Sequence, residues 1–94
     1  MEKKILNLTL KKKWFDLIKS SSKCVEYREY KPYWIKRIEG KHFDEIHFRN
    51  GYRKDSPFMR IEYKGYHFDT FEGKKCFALH LGKILEISAN SSKG

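Results

Sequence analysis

Three groups of side chains in this sequence could do chemistry. The first is Lys23, Glu26 and Arg28. Glu26 and Arg28 stand two apart in a β-forming stretch, so they project from one face of a strand. A carboxylate beside a guanidinium holds it in place and leaves further N–H donors for a ligand. Lys23 adds a third charged group at the strand's mouth. The same spacing also suits a surface ion pair, worth under about 1 kcal/mol. The second group is Lys11, Lys12 and Lys13, just before Trp14. At a helix start these cations oppose the macrodipole. A phosphate there would reverse the sign, because backbone N–H groups and lysines would both face it. A solvated basic turn is the alternative.

The third group is Glu45, His47, Arg49, Asn50, Tyr52, Arg53 and Lys54. Alternation puts Glu45, His47 and Arg49 on one strand face, and the polar residues after them extend the same end. Basic groups interleaved with aromatics suit single-stranded nucleic acid. Lys and Arg take phosphates, and a stacked ring such as Tyr52 contributes about 1–3 kcal/mol. The polar outer face of a half-buried strand would look the same. Arg60 and Lys64 join this stripe if their strand lies alongside.

Other chemistries lack support. The histidines are His42, His47, His67 and His80, and none has the i, i+4 or Cys-x-x-Cys context of a metal site. No metal and no cofactor is expected. Only His47 is placed for general acid–base work. There is no P-loop, no dinucleotide fingerprint and no nucleophile elbow. The two cysteines, Cys24 and Cys76, cannot build a disulfide scaffold or a four-thiolate zinc site. They are expected to be reduced and buried, in a cytoplasmic protein.

The chain around these groups has 94 residues, so one domain is expected, over residues 1–87, with a flexible polar tail over 88–94. No run approaches the roughly 20 apolar residues of a membrane span, and no signal peptide is visible. A 16% aromatic content argues against disorder. The formal charge of +9 points to an anionic partner, nucleic acid first. A monomer is the expected state.

The elements read as short alternating segments. Leu6, Leu8 and Leu10 recur at period two, a first strand. Trp14, Leu17 and Ile18 make a helix face, broken at Ser20, Ser21 and Ser22. Val25 to Tyr30 is a second strand. Pro32 opens a short helix with Trp34, Ile35 and Ile38 as its stripe and Gly40 as its stop. Ile46 and Phe48 mark a third strand, closed by Asn50-Gly51. Met59 to Tyr63, Tyr66 to Phe71, Phe77 to Leu81 and Ile84 to Ile87 follow, with Gly65 and Gly73 as breaks and Gly82 as a bend. Trp14, Trp34, Phe48 and Phe77 fall on the apolar phases and are expected in the core. The fold class is α+β. About six short strands and two helices fit most economically into a small closed barrel, which leaves no sheet edges. Its rim would then collect the charged groups of all three clusters.

The segment Ser21-Ser22-Lys23-Cys24-Val25-Glu26-Tyr27-Arg28 resembles the signature of the ASCH domain, in the PUA-like superfamily. That signature reads roughly Gly-x-Lys-x-x-Glu/Thr-x-Arg after an opening strand and an amphipathic helix. Ser21 stands in the glycine's place; Lys23, Glu26 and Arg28 match. The leading leucine strand, the helix Trp14 to Lys19 and the stretch Leu79 to Ile84 are also similar to the family. Tyr30 to Trp34 resembles a compact bacterial and phage subgroup.

The resemblance implies a PUA-like β-barrel that binds RNA in a cleft beside the signature strand. It also implies a runner-up, an enzyme with Lys23 and Glu26 as catalytic residues. One branch hydrolyses N4-acylated cytidine with the motif lysine, a threonine and a distant glutamate; another member cuts single-stranded RNA. Here Glu26 replaces the threonine, and Glu62 and Glu86 match the distant glutamate by chemistry alone. A lysine nucleophile must also shed its proton, which a neighbouring carboxylate opposes. A third reading is a phage-type factor whose basic face binds a host protein. The expected function is therefore nucleic-acid binding through Lys11, Lys12, Lys13, Lys23, Arg28, His47, Arg49, Asn50, Tyr52, Arg53 and Lys54.

Overall fold

The computed structural model describes residues 2–51, 53 and 55–88. Its order is β1 (Ile5–Thr9), α1 (Lys12–Lys19), β2 (Val25–Glu29), α2 (Pro32–Ile38), β3 (Glu45–Arg49), β4 (Phe58–Phe71) and β5 (Lys74–Ser88). The expected tail falls outside the described residues, apart from Ser88, which ends β5.

The strands form one mixed sheet in the order β1-β3-β4-β5-β2. β1 pairs parallel to β3, with Leu6 opposite Ile46 and Leu8 opposite Phe48. The remaining pairs are antiparallel. Period-two alternation sends Leu6, Leu8, Ile46, Phe48, Met59, Ile61, Phe77 and Leu79 into one core, joined by Phe15 and Ile18 of α1 and Ile38 of α2.

The α+β class holds, but the sheet does not close into a barrel. It has five strands, with β1 and β2 as its edges. The expectation failed at two glycines. Gly65 has φ +101 and lies where the β4–β5 register slips between Tyr63 and Tyr66. A positive-φ glycine there makes a bulge and lets the strand run on. Gly82 likewise sits inside β5. Four expected short strands are therefore two long ones. Their real turn is Glu72-Gly73, where both residues have positive φ, at 52 and 78, as a two-residue hairpin of the primed type requires.

Two of the expected core aromatics also differ. Phe48 and Phe77 are fully buried, but Trp34 is only half-buried and Trp14 is 39% exposed. The buried residues of α1 are Phe15 and Ile18: Ile18 is as expected, and Phe15 takes the place of Trp14. Cys76 is buried as expected, whereas Cys24 is exposed.

On the sheet face away from the core, Glu45 is buried beneath its partners. It accepts hydrogen bonds from Lys3 Nζ at 2.8 Å, Arg60 Nε at 3.0 Å and Arg60 Nη2 at 3.2 Å, and pairs with His47 Nε2 at 2.9 Å. Arg60 reaches on to Glu86 at 2.8 Å. These contacts tie the N-terminal segment to β3, β4 and β5. The Arg60 guanidinium, then Lys3 and His47, hold the Glu45 carboxyl well below its ordinary 4.5. A carboxyl lowered on folding stabilises the fold above its unfolded value, and that contribution is lost as pH falls. The denaturation midpoint should therefore drop as pH goes below about 4.5. Glu45→Gln should lower the midpoint at pH 7 and flatten this acid dependence. Equal acid slopes in the two proteins, measured by urea denaturation, would remove Glu45 as the source.

Candidate functional site

The first cluster assembles at the end of α1. Ser20 caps that helix, and Ser21 follows with φ +65. Ser21 N donates to Ile18 O at 2.9 Å and Ser22 N to Leu17 O at 2.9 Å. This pair of bonds is the Schellman cap, whose left-handed residue is usually glycine because it lacks a Cβ. The cap turns the chain sharply, and Lys23 N also reaches Leu17 O, at 3.2 Å. Lys23 is thereby delivered beside β2.

Glu26 and Arg28 share a face of β2, as their spacing predicts, and pair in register with Leu79 and Phe77 of β5. Those two are core residues, so Glu26 points inward and is 5% exposed. It is no surface ion pair. Lys23 Nζ lies 3.4 Å from Glu26 Oε1, and Arg28 Nη1 donates to Glu26 Oε2. Arg28 also donates to Tyr27 O at 2.8 Å and to Thr9 O at 3.2 Å. The last bond joins the two edge strands, so the sheet curls until β2 faces β1, and a side chain spans the open seam.

A cavity of about 790 Å³ lies along this seam. Lys11, Lys23, Glu26 and Arg28 line it, with Trp14, Tyr27, Tyr33 and Trp34 as aromatic walls. Lys23 Nζ sits 5.4 Å from the ring centroids of both Trp14 and Tyr27, and the Arg28 guanidinium sits 5.3 Å from that of Trp34. Phe71 stacks on Tyr27 at 5.3 Å and also faces the cavity. Cys76 closes another part of the wall, where burial pushes its thiol up from the ordinary value.

The lysine run does open α1. Lys11 is the cap residue and lines the cavity. Lys12 pairs with Asp16 at 2.7 Å, and Lys13 lies 4.9 Å over the Trp14 ring. The third cluster goes elsewhere. His47 is held by Glu45, Arg49 covers the Phe58 ring at 4.6 Å, and Asn50 N donates to Pro57 O at 2.9 Å. Arg53 is exposed, and its backbone exchanges hydrogen bonds with Ser56. Tyr52 and Lys54 lie outside the described residues. None of His47, Arg49, Asn50 and Arg53 lines the cavity, so the clusters do not share one rim there. His47 and Arg49 are paired in register with Asn7 and Thr9, which do line the cavity.

The sequence pattern conceals the aromatic walls, because Trp14 and Trp34 fit the helical apolar phases that mark core residues. The available signal was the run of lysines beside Trp14, since a cation close to an indole favours an open face. Glu62 and Glu86 do not line the cavity: Glu62 accepts from Lys83 N at 3.0 Å, and Glu86 holds Arg60.

Among the described residues, no group of three or more His, Cys, Asp or Glu is set to hold a metal, and no helix is long and apolar enough to cross a membrane. Comparison with protein-family models, curated proteins and solved structures finds no match for this chain.

Ser21 carries the strain of an L-residue in the left-handed region, about 1–2 kcal/mol. Glycine removes it but adds freedom to the unfolded chain. Ser21→Gly should therefore stabilise by about 0.5–1 kcal/mol and raise Tm by roughly 2–8 °C. A lower Tm in a thermal melt would show that the serine hydroxyl matters more than the backbone angle.

Proposed function

We propose that this chain is an RNA-binding domain of the ASCH, PUA-like type, holding single-stranded RNA along the seam between β1 and β2. The observation that carries this reading is the composition of the cavity. Four cations and five aromatic rings line it together with three carboxylates, of which Glu26 alone is buried. Phosphates need the first, bases stack on the second, and a carboxylate among them accepts N–H groups from a base edge. A cleft for phosphate alone has no use for Glu26.

The resemblance supports the same reading. Lys23, Glu26 and Arg28 meet at one point, and Ser21 occupies the left-handed position where the signature has glycine. The curled sheet with its open seam is read as the PUA-like arrangement in a partly open form. The ammonium of Lys23 lies against Glu26 and faces two rings, an arrangement suited to holding an anion. No glutamate from Glu62 or Glu86 reaches it, so binding is favoured over hydrolysis.

Binding should be strongest at low salt. With Lys11, Lys23 and Arg28 each meeting a phosphate, log affinity for a single strand should fall against log salt with a slope of about −2. Trp14 is exposed, so its removal should leave the fold intact. Trp14→Ala should weaken binding of an RNA octamer by about 1–3 kcal/mol. Fluorescence anisotropy across a salt series measures both. No binding at the lowest salt would sink the proposal.

A further inference from the structure

We infer that the seam selects guanine, by reading its Watson–Crick edge with Glu26. This deepens the RNA-binding reading and rests on it. Glu26 is the only acidic side chain buried at the cavity among the described residues, at 5% exposed, and both its oxygens are oriented by cations. Lys23 Nζ lies at 3.4 Å from Oε1, and Arg28 Nη1 donates to Oε2. An ionised carboxylate accepts at about four lone-pair sites. Two cation contacts therefore leave an acceptor on each oxygen. Those two acceptors are side by side, at a spacing the carboxylate fixes.

Among the four standard bases, guanine alone presents two adjacent donors on its Watson–Crick edge, N1–H and N2–H. Adenine and cytosine present one amino group next to a ring nitrogen whose lone pair faces the carboxylate. Uracil presents N3–H between two carbonyl oxygens, which the carboxylate repels. The third group on the guanine edge, O6, accepts hydrogen bonds. It would lie next to the cations flanking Glu26, where Lys23 has N–H donors beyond its contact to the carboxylate. The edge sequence acceptor, donor, donor thus meets cation, acceptor, acceptor. The rings of Trp14, Tyr27, Tyr33 and Trp34 supply the stacking faces for the purine. Tyr33 at 58% exposed and Trp14 at 39% exposed have surface to give to a base.

The test uses the intact chain and uridine octamers carrying one central guanine, adenine, cytosine, inosine, N1-methylguanine or 7-deazaguanine. The guanine octamer should bind roughly 5- to 150-fold tighter than the all-uridine one, the discrimination expected of a bidentate base contact. Inosine lacks the N2 amino group and should lose most of that gain. N1-methylguanine should lose all of it, and 7-deazaguanine, changed only on the far edge, should keep it. Glu26→Gln exchanges one acceptor for a donor. It should abolish the guanine preference, so that no octamer is favoured over the others. The modified-base series on the unaltered protein stands whether or not that variant folds. Equal affinity for all octamers, a preference for cytosine or adenine, or a guanine preference that survives N1-methylation overturns the inference and leaves RNA binding standing. Absence of binding to every octamer overturns both.

Discussion

A carboxylate removed from water has to be met by charge, and most of this site follows from that demand at Glu26. The strand register of β2 turns Glu26 and Arg28 to the core side, beside Leu79 and Phe77. Arg28 answers with its guanidinium, whose planar fork has donors to spare. Two of these go to the carbonyls of Tyr27 and Thr9. The same residue thus neutralises the acid, ties down its own strand and reaches across to β1. Lys23 completes the charge balance, and it can do so only because the α1 cap turns the chain at Ser21. Removing the acid would leave two cations facing each other on a low-dielectric wall, which is the costly way to break a buried pair.

Glu45 poses the same problem on the other sheet face and solves it differently. Its partners Lys3, His47 and Arg60 surround the carboxylate and use both oxygens. Arg60 is further occupied by Glu86. The result is a closed network that clamps strands. Around Glu26 the cations also face a cavity and aromatic rings, so the network is open on one side. His47, attractive from its spacing, is one of the groups in the closed network around Glu45.

Much of the fold was legible in the sequence. Period-two leucines, the Pro32 start and the shared face of Glu26 and Arg28 are local rules, and local rules sufficed. Closure was not legible. It turned on whether Gly65 and Gly82 end a strand or bend it, which depends on the partner strand. The side-chain pattern on either side is the same in both cases. Trp14 failed for a related reason. A helix eight residues long has few positions to set its phase, and Phe15 with Ile18 satisfies the apolar stripe as well as Trp14 with Ile18. Packing decided between them. The left-handed serine lay beyond sequence rules too, since a run of three serines marks a break without saying which residue bears the positive φ.

The open seam and the cleft are one feature. Closing the sheet would pair β1 with β2 through their backbones and fill the space now lined by Asn7, Thr9, Tyr27 and Arg28. Leaving it open exposes two strand edges, a hazard that proteins usually blunt with charge. Here the charge is already supplied, because Arg28 occupies the Thr9 carbonyl and Lys11 stands at the end of β1. The cations that line the cleft are therefore also those that guard its edges against another strand.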